Sequence, residues 1–184
     1  LVASGIAANA QTLAETHELL PGDGPLQAEF GASCDFSGTI GILGARSEPT
    51  NGYGSGAAYL FDLVTGQELS KLLPTDGAMH DKFGWSVAIE GDLAVVSPGG
   101  GAGSLAAYNR KTGSLAWKAG SDGAGYATPY PFTFEKTRYI ACFSAKEILV
   151  VEAGDGAVAW RSPWKTSYDV NSATPIYHDG GLFI

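Results

Sequence analysis

Residues 19–31, LLPGDGPLQAEFG, return 53 residues later as LLPTDGAMHDKFG at 72–84, with Leu-Leu-Pro, Asp-Gly and Phe-Gly in register. A chain that repeats at such a period is built from stacked copies of one supersecondary unit, since one copy cannot bury its own apolar face. The match extends beyond the opening. ASCDFSGTIGILGA after Phe30-Gly31 aligns with WSVAIEGDLAVVSP after Phe83-Gly84, pairing Ser33 with Ser86, Gly38 with Gly91 and Ile42 with Val95. Each copy then reaches a Gly/Ser stretch, an apolar run and a Thr-Gly turn: GSGAAYLFDLVTGQEL at 54–69 and GSLAAYNRKTGSLAW at 103–117. A third unit keeps only that ending, EILVVEAGDGAVAW at 147–160, and a fourth begins near 171, where SATPIYHDGGLFI echoes YATPYPF. The turn glycines Gly66, Gly113 and Gly156 stand 47 and then 43 residues apart, and Trp117 and Trp160 each follow their turn glycine by four residues.

The pattern within a unit specifies strands. The apolar runs are short, rich in Val, Ile, Tyr and Phe, and bounded by Gly, Asp-Gly or Thr-Gly. In the second unit strands are expected near 83–89, 92–97, 104–109 and 114–118, with turns at 90–92, 98–103 and 111–113. Glycine at these turns suits positive φ, where a Cβ would clash. Four strands in about 45 residues, repeated, is the length of a β-propeller blade. An ordinary β-sandwich also has short strands, but it does not place a turn at blade spacing. The expected fold is therefore all-β: one propeller domain of four-stranded antiparallel blades over 1–184. The blade units fall at about 25–72, 78–119 and 124–162, with a composite fourth blade from 170–184 plus 1–24.

On these residues the chain resembles two propeller repeat families. FGASCDFSGTIGILGA and FGWSVAIEGDLAVVSP, with GSGAAYLFD, resemble the FG-GAP repeats of integrin-like propellers. AYNRKTGSLAW at 107–117 resembles the tryptophan-docking ending of quinoprotein propellers, with Asn109 in place of Asp, and VVEAGDGAVAW at 150–160 is a weaker copy. The resemblance implies that Trp117 and Trp160 lie flat between neighbouring blades, with each indole N–H bonded to backbone. It also implies an extracellular or periplasmic location.

The two ends admit several readings. The last unit supplies two strands, near 172–177 and 181–184, and GIAANAQTLAE can be laid with two gaps on GSLAAYNRKTGSLAW, Asn9 on Asn109 and Thr12 on Thr112. Closing strands from residues 1–18 would remove an open sheet edge. The same residues also read as a secretory-signal remnant, with Ala8-Asn9-Ala10 as a cleavage site, or as a helix with apolar spacing at Leu13, His17 and Leu20. Four blade equivalents can close as a small ring, or stand as half of a larger one that a second copy completes. A half ring would expose two flat apolar faces, which association relieves.

Charge narrows the partners. The formal net charge of −8 and pI near 4.7 leave no basic face to track phosphates, so nucleic acid is not expected. No segment is long enough to span a membrane. The two cysteines, Cys34 and Cys142, fall in blades that are not neighbours, so free buried thiols are expected over a bridge. No catalytic, metal or cofactor residue is expected. The loops equivalent to calcium-binding Asp-x-Asp-x-Asp-Gly hairpins, EPTNGYGSG at 48–56 and GGGAGS at 99–104, hold one acid between them. His80-Asp81 and His178-Asp179 sit at different places in their repeats and read as surface turns. The expected function is a non-catalytic binding or scaffold module of a secreted or cell-surface protein. The alternatives are part of a quinoprotein enzyme that uses pyrroloquinoline quinone and calcium, and a joined or incomplete propeller chain.

Overall fold

The computed structural model describes residues 17–23, 28–99, 103–123 and 125–184. Within them the chain alternates strand and turn, and every sheet is an antiparallel meander. The first sheet holds β1 (Phe30–Ser37), β2 (Ile40–Ala45), β3 (Ala57–Asp62) and β4 (Glu68–Leu72). The second holds β5 (Val87–Glu90), β6 (Leu93–Val96), β7 (Leu105–Asn109) and β8 (Leu115–Ala119). The third holds β9 (Tyr130–Phe134), β10 (Thr137–Phe143), β11 (Glu147–Glu152) and β12 (Val158–Pro163). A hairpin of β13 (Ile176–His178) and β14 (Gly181–Phe183) follows. The first strands of successive sheets are neighbours, β1 beside β5 and β5 beside β9, so the sheets radiate from a common axis as the blades of a β-propeller. Among the described residues three blades are complete and the fourth is the hairpin alone. The closing strands, signal remnant or helix expected over 1–18 fall outside the described residues except for 17 and 18, which belong to no strand or helix.

Period-two alternation makes each blade two-faced. Along β3, Ala58 and Leu60 face blade two and pack with Ile42, Phe83, Val87, Ala94, Val96 and Tyr108. Ala57, Tyr59 and Phe61 point the other way, onto Leu19, Ala28 and Phe30. Along β7, Tyr108 belongs to the first interface, while Leu105 and Ala107 meet Ile140, Leu149 and Val151 of blade three. Each middle strand is apolar on both sides because each faces a neighbouring blade, which is why these runs read as continuous rather than alternating.

Backbone contacts fix the spacing of the blades. A Cβ on Gly44 would lie 2.0 Å from the Gly84 carbonyl oxygen, and one on Gly84 would lie 2.2 Å from that of Ala57. Side chains add polar ties. Asp35 accepts the Ile89 amide at 2.8 Å, and the Ser33 hydroxyl donates to Gly84 O at 2.9 Å. The turns at the far end are held by their own side chains. Asp62 Oδ1 accepts the amides of Val64 and Thr65, and Asn109 Oδ1 those of Lys111 and Thr112, so Asn109 does what Asp does at the same position.

Trp117 is 8% exposed, and its Nε1 donates to Ala153 O at 3.0 Å across the interface with blade three. Beneath the indole lies Gly156, at φ +75°, where a Cβ would come within 2.7 Å of the ring. Trp160 differs. It is 50% exposed, because the blade that would cover it is only a hairpin among the described residues. Cys34 is also exposed, on the face of β1 turned away from blade two, while Cys142 is buried, and both thiols are free.

Trp117→Ala is expected to destabilise the protein by about 3–5 kcal/mol, the range for deleting a buried large aromatic, as read by denaturant unfolding. Gly156→Val should cost on the order of 1–3 kcal/mol, from positive φ and from the displaced indole together. Near-native stability in both variants would remove Trp117 from the interface.

Candidate functional site

The antiparallel meander sends the β2–β3, β4–β5, β6–β7 and β8–β9 connections to one end of the molecule and the Thr-Gly turns to the other. At the connection end a hollow of about 240 Å³ opens between blades, lined by His80, Asp81, Lys82, Trp85, Gly99, Gly123, Gly125 and Tyr126. Its floor is backbone. A Cβ on Gly99 would lie 1.5 Å from Asp81 O, and one on Gly125 would lie 2.0 Å from Phe143 O, so glycine is required there. Its wall is aromatic. Trp85 and Tyr126 meet edge-to-face with centroids 4.5 Å apart, and the Arg46 guanidinium lies 4.1 Å above the Trp85 ring. Arg46 is itself held by Glu29, which also accepts the Ser47 hydroxyl. Tyr53 meets the His80 ring edge-to-face at 5.5 Å, and Asp81 accepts the Ala78 amide at 2.6 Å. His80 and Lys82 both adopt positive φ, +69° and +62°, which turns the 78–84 segment across the blade junction. His80-Asp81 thus lies at the hollow, whereas His178-Asp179 forms the β13–β14 turn.

The loop at 48–56 is closed by its own side chains. Glu48 is 2% exposed, and its carboxylate accepts the Thr50 amide (2.9 Å), the Thr50 hydroxyl (2.6 Å) and the Lys71 ammonium (3.0 Å). Lys71 also donates to Asp23 at 2.9 Å and lies over the Tyr59 ring. Burial pulls the ammonium down, but hydrogen bonds to Asp23 and Glu48 outweigh it, and the Lys71 pKa stands above the ordinary lysine value. The same bond holds the Asp23 carboxyl below its usual 3.8. Burial pushes the Tyr59 phenol up to about 12. A lysine thus sits against the one buried carboxylate of the loop, and the donor set does not fit calcium. Nor does it fit a quinone cofactor held over adjacent cysteines, since Cys34 and Cys142 stand on separate blades. Among the described residues no group of three or more His, Cys, Asp or Glu converges as a metal site, and no helix is long and apolar enough to cross a membrane.

A second concavity, of about 470 Å³, lies on the outer face of blade three. Phe132, Phe134, Val150, Trp160, Tyr177 and Leu182 line it. Phe132 stacks on Tyr177 at 4.8 Å, tying the β13–β14 hairpin to blade three. The singled-out residues therefore separate. Gly113 and Gly156 lie at closed blade interfaces, Gly66 lies on the outer face of blade one, and Trp160 borders this open groove. Of the axial hollow only His80-Asp81 stood out in the sequence, since the β4–β5, β6–β7 and β8–β9 connections that line it meet only in space.

The family model described as the FG-GAP repeat matches residues 13–61 and 67–112. The chain belongs to the FG-GAP repeat family. No curated protein sequence matches it. Among solved structures, the computationally designed Ika4 protein superposes with a TM-score of 0.58 at 14% identity, over 93% of this chain and 91% of its own. BamB from Moraxella catarrhalis superposes with a TM-score of 0.56 at 18% identity, over 83% of this chain and 45% of BamB. The FG-GAP chain thus spans less than half the length of BamB. At these identities the likeness speaks for the fold.

The Asp23–Lys71 and Asp76–Lys118 pairs set a pH dependence. The Lys118 ammonium, 2.9 Å from Asp76, holds that carboxyl below 3.8 as Lys71 holds Asp23. A carboxyl whose folded pKa is depressed contributes stability above its unfolded pKa, and that stability is lost as pH falls through the folded value. Both aspartates are largely exposed, so each pair is worth at most about 1 kcal/mol. Asp23→Asn should therefore unfold at a lower temperature than the parent at neutral pH, with the gap closing below pH 3.8. A gap that widens on acidification would contradict the pairing.

Proposed function

We propose that this FG-GAP chain is a non-catalytic propeller module that binds a partner at the axial hollow. One observation carries the reading: the hollow offers two aromatic faces and the Lys82 ammonium over a glycine floor, while its one carboxylate, Asp81, is already engaged by a backbone amide. A paired acid and base would be needed for proton transfer, and a rigid aromatic and cationic surface is what recognition of an acidic or aromatic side chain needs. The ion pairs that link loops and blades, Arg138–Glu90 and Lys118–Asp76 among them, support a scaffold in which acids and bases serve structure. Membership of the FG-GAP repeat family supports an extracellular or periplasmic setting. Trp117 and Trp160 belong to the same reading as inter-blade keys of the tryptophan-docking kind.

The test has two arms. A peptide of alternating Glu and Tyr should quench or shift tryptophan emission saturably, and Lys82→Ala and Trp85→Ala should each weaken its binding about tenfold or more. Binding that ignores both substitutions would remove the hollow from the function. Pyrroloquinoline quinone with Ca²⁺ should shift neither the absorbance spectrum nor the melting temperature. A shift in either would favour the quinoprotein alternative.

A further inference from the structure

The 80–83 segment runs beside the β2–β3 connection as a short ladder. The amides of His80, Lys82 and Phe83 donate to the carbonyls of Tyr53, Gly54 and Ser55 at 3.0, 3.0 and 2.8 Å. This pairing, with positive φ at both His80 and Lys82, brings their side chains over Gly54. A Cβ on that glycine would stand 3.4 Å from Lys82 Nζ and 3.5 Å from His80 Nδ1, so the two nitrogens converge on bare backbone. Left-handed backbone at non-glycine residues is strain, and such strain clusters where a fold must hold side chains in place for a ligand.

Among the described residues Lys82 makes no ion pair. The carboxylates around the hollow are engaged elsewhere. Asp81 accepts the Ala78 amide, Glu29 is held by Arg46 and Ser47, and Asp122, next to Gly123, accepts from Ser104, Ser144 and the Lys146 amide. Lys82 is thus a charge left to pair with a ligand anion. Beside it stand the rings of Trp85 and Tyr126, the latter 42% exposed. The Tyr126 amide donates to Asn171 O at 2.9 Å, which brings the β12–β13 connection alongside. Exposed Tyr53, Met79, Tyr126 and Tyr168 stand on the connections at this end, and tyrosine and methionine are side chains that protein interfaces favour.

We propose that the hollow takes the C-terminal residue of a partner polypeptide, and that this residue is aromatic; the proposal rests on the hollow being the module's binding site. The terminal carboxylate accepts from Lys82 Nζ, with His80 Nδ1 as second donor in the tautomer that protonates it. The ring lies in the corner of Trp85 and Tyr126. At about 240 Å³ the hollow falls below the range of about 300–1,000 Å³ for sites that take drug-sized ligands, and it suits one residue rather than a length of chain. Backbone closes its floor at Gly99 and Gly125, so a chain enters by its end and does not pass through. A terminal aromatic residue carries ring and carboxylate on a single Cα. An internal acidic side chain beside an aromatic one needs two residues and the backbone between them. Capture of a terminal carboxylate is a recurring mode of peptide recognition.

Titration of the full 184-residue chain with three peptides tests this, read by tryptophan emission and by calorimetry. The probes are Gly-Ala-Ala-Phe with a free carboxylate, the same peptide as its C-terminal amide, and acetyl-Ala-Phe-Glu-Ala amide. The free acid should bind at least about tenfold more tightly than either of the others, as expected for one charge-assisted hydrogen bond. Lys82→Asn removes the charge and keeps a residue that tolerates left-handed backbone, and it should erase that preference. Equal binding of acid and amide overturns the proposal. So does tighter binding of the internal peptide, an acid preference that survives in Lys82→Asn, or binding of none of the three. If acid and amide bind equally and Trp85→Ala weakens both, the hollow remains the site and only the terminal carboxylate falls. If Trp85→Ala leaves all binding unchanged, the hollow itself falls, and this proposal with it. Should a variant fail to fold, the acid-to-amide ratio of the parent chain decides.

Discussion

The structure rests on the contact between a turn glycine and the side chain that the preceding blade lays over it. A left-handed turn tightens the outer hairpin, and the missing Cβ leaves a flat backbone patch on which Ser70, Trp117 or His17 can lie. The contact does two jobs. It buries side-chain area at the rim, where a radiating sheet would otherwise splay, and it sets the angle of each blade to the next. At the opposite end, backbone presses on backbone at Gly44, Gly84 and Ala57, so blades one and two are pinned at both ends and packed by apolar strands between.

Polar groups reinforce this frame. Glu48 and Lys71, both shielded, tie the β2–β3 loop to β4 and, through Asp23, to the segment that approaches blade one. Arg138 spans from blade three to Glu90 of blade two, and Asp35 caps the Ile89 amide between inner strands. The shielded Glu48–Lys71 pair stabilises little by itself, but removing one partner strands the other, which makes it a register mark. The 48–56 loop is thereby closed by its own salt bridge, Glu48 to Lys71, and by Thr50.

Much of the fold was legible because its punctuation is local. Thr-Gly and Asp-Gly turns at blade spacing, and apolar runs between them, carry the strand order of blades one to three, and β5 to β8 fall within a few residues of their expected places. Trp117 was legible for the same reason, since its partner turn lies one unit ahead. Trp160 was not, because the sheet beyond it is, among the described residues, only the β13–β14 hairpin. Cys34 is exposed through the same gap. The hollow was only half legible: His80-Asp81 stood out in the sequence, but its meeting with Tyr126 was not visible there, because the β4–β5 connection that carries His80, Lys82 and Trp85 joins the β8–β9 connection only in space.

The backbone contact between blades has an evolutionary reading. An interface of carbonyl against glycine Cα asks almost nothing of side-chain identity, beyond keeping the glycine. Units that have drifted apart can then still sit side by side. A blade ending in Ser70 precedes one ending in Trp117, and FG-GAP lettering runs into tryptophan-ended lettering with no misfit at the junction. Such a junction tolerates recombination: a gene could exchange, duplicate or lose one blade's worth of sequence, and the neighbouring blades would still find the same glycine to rest upon.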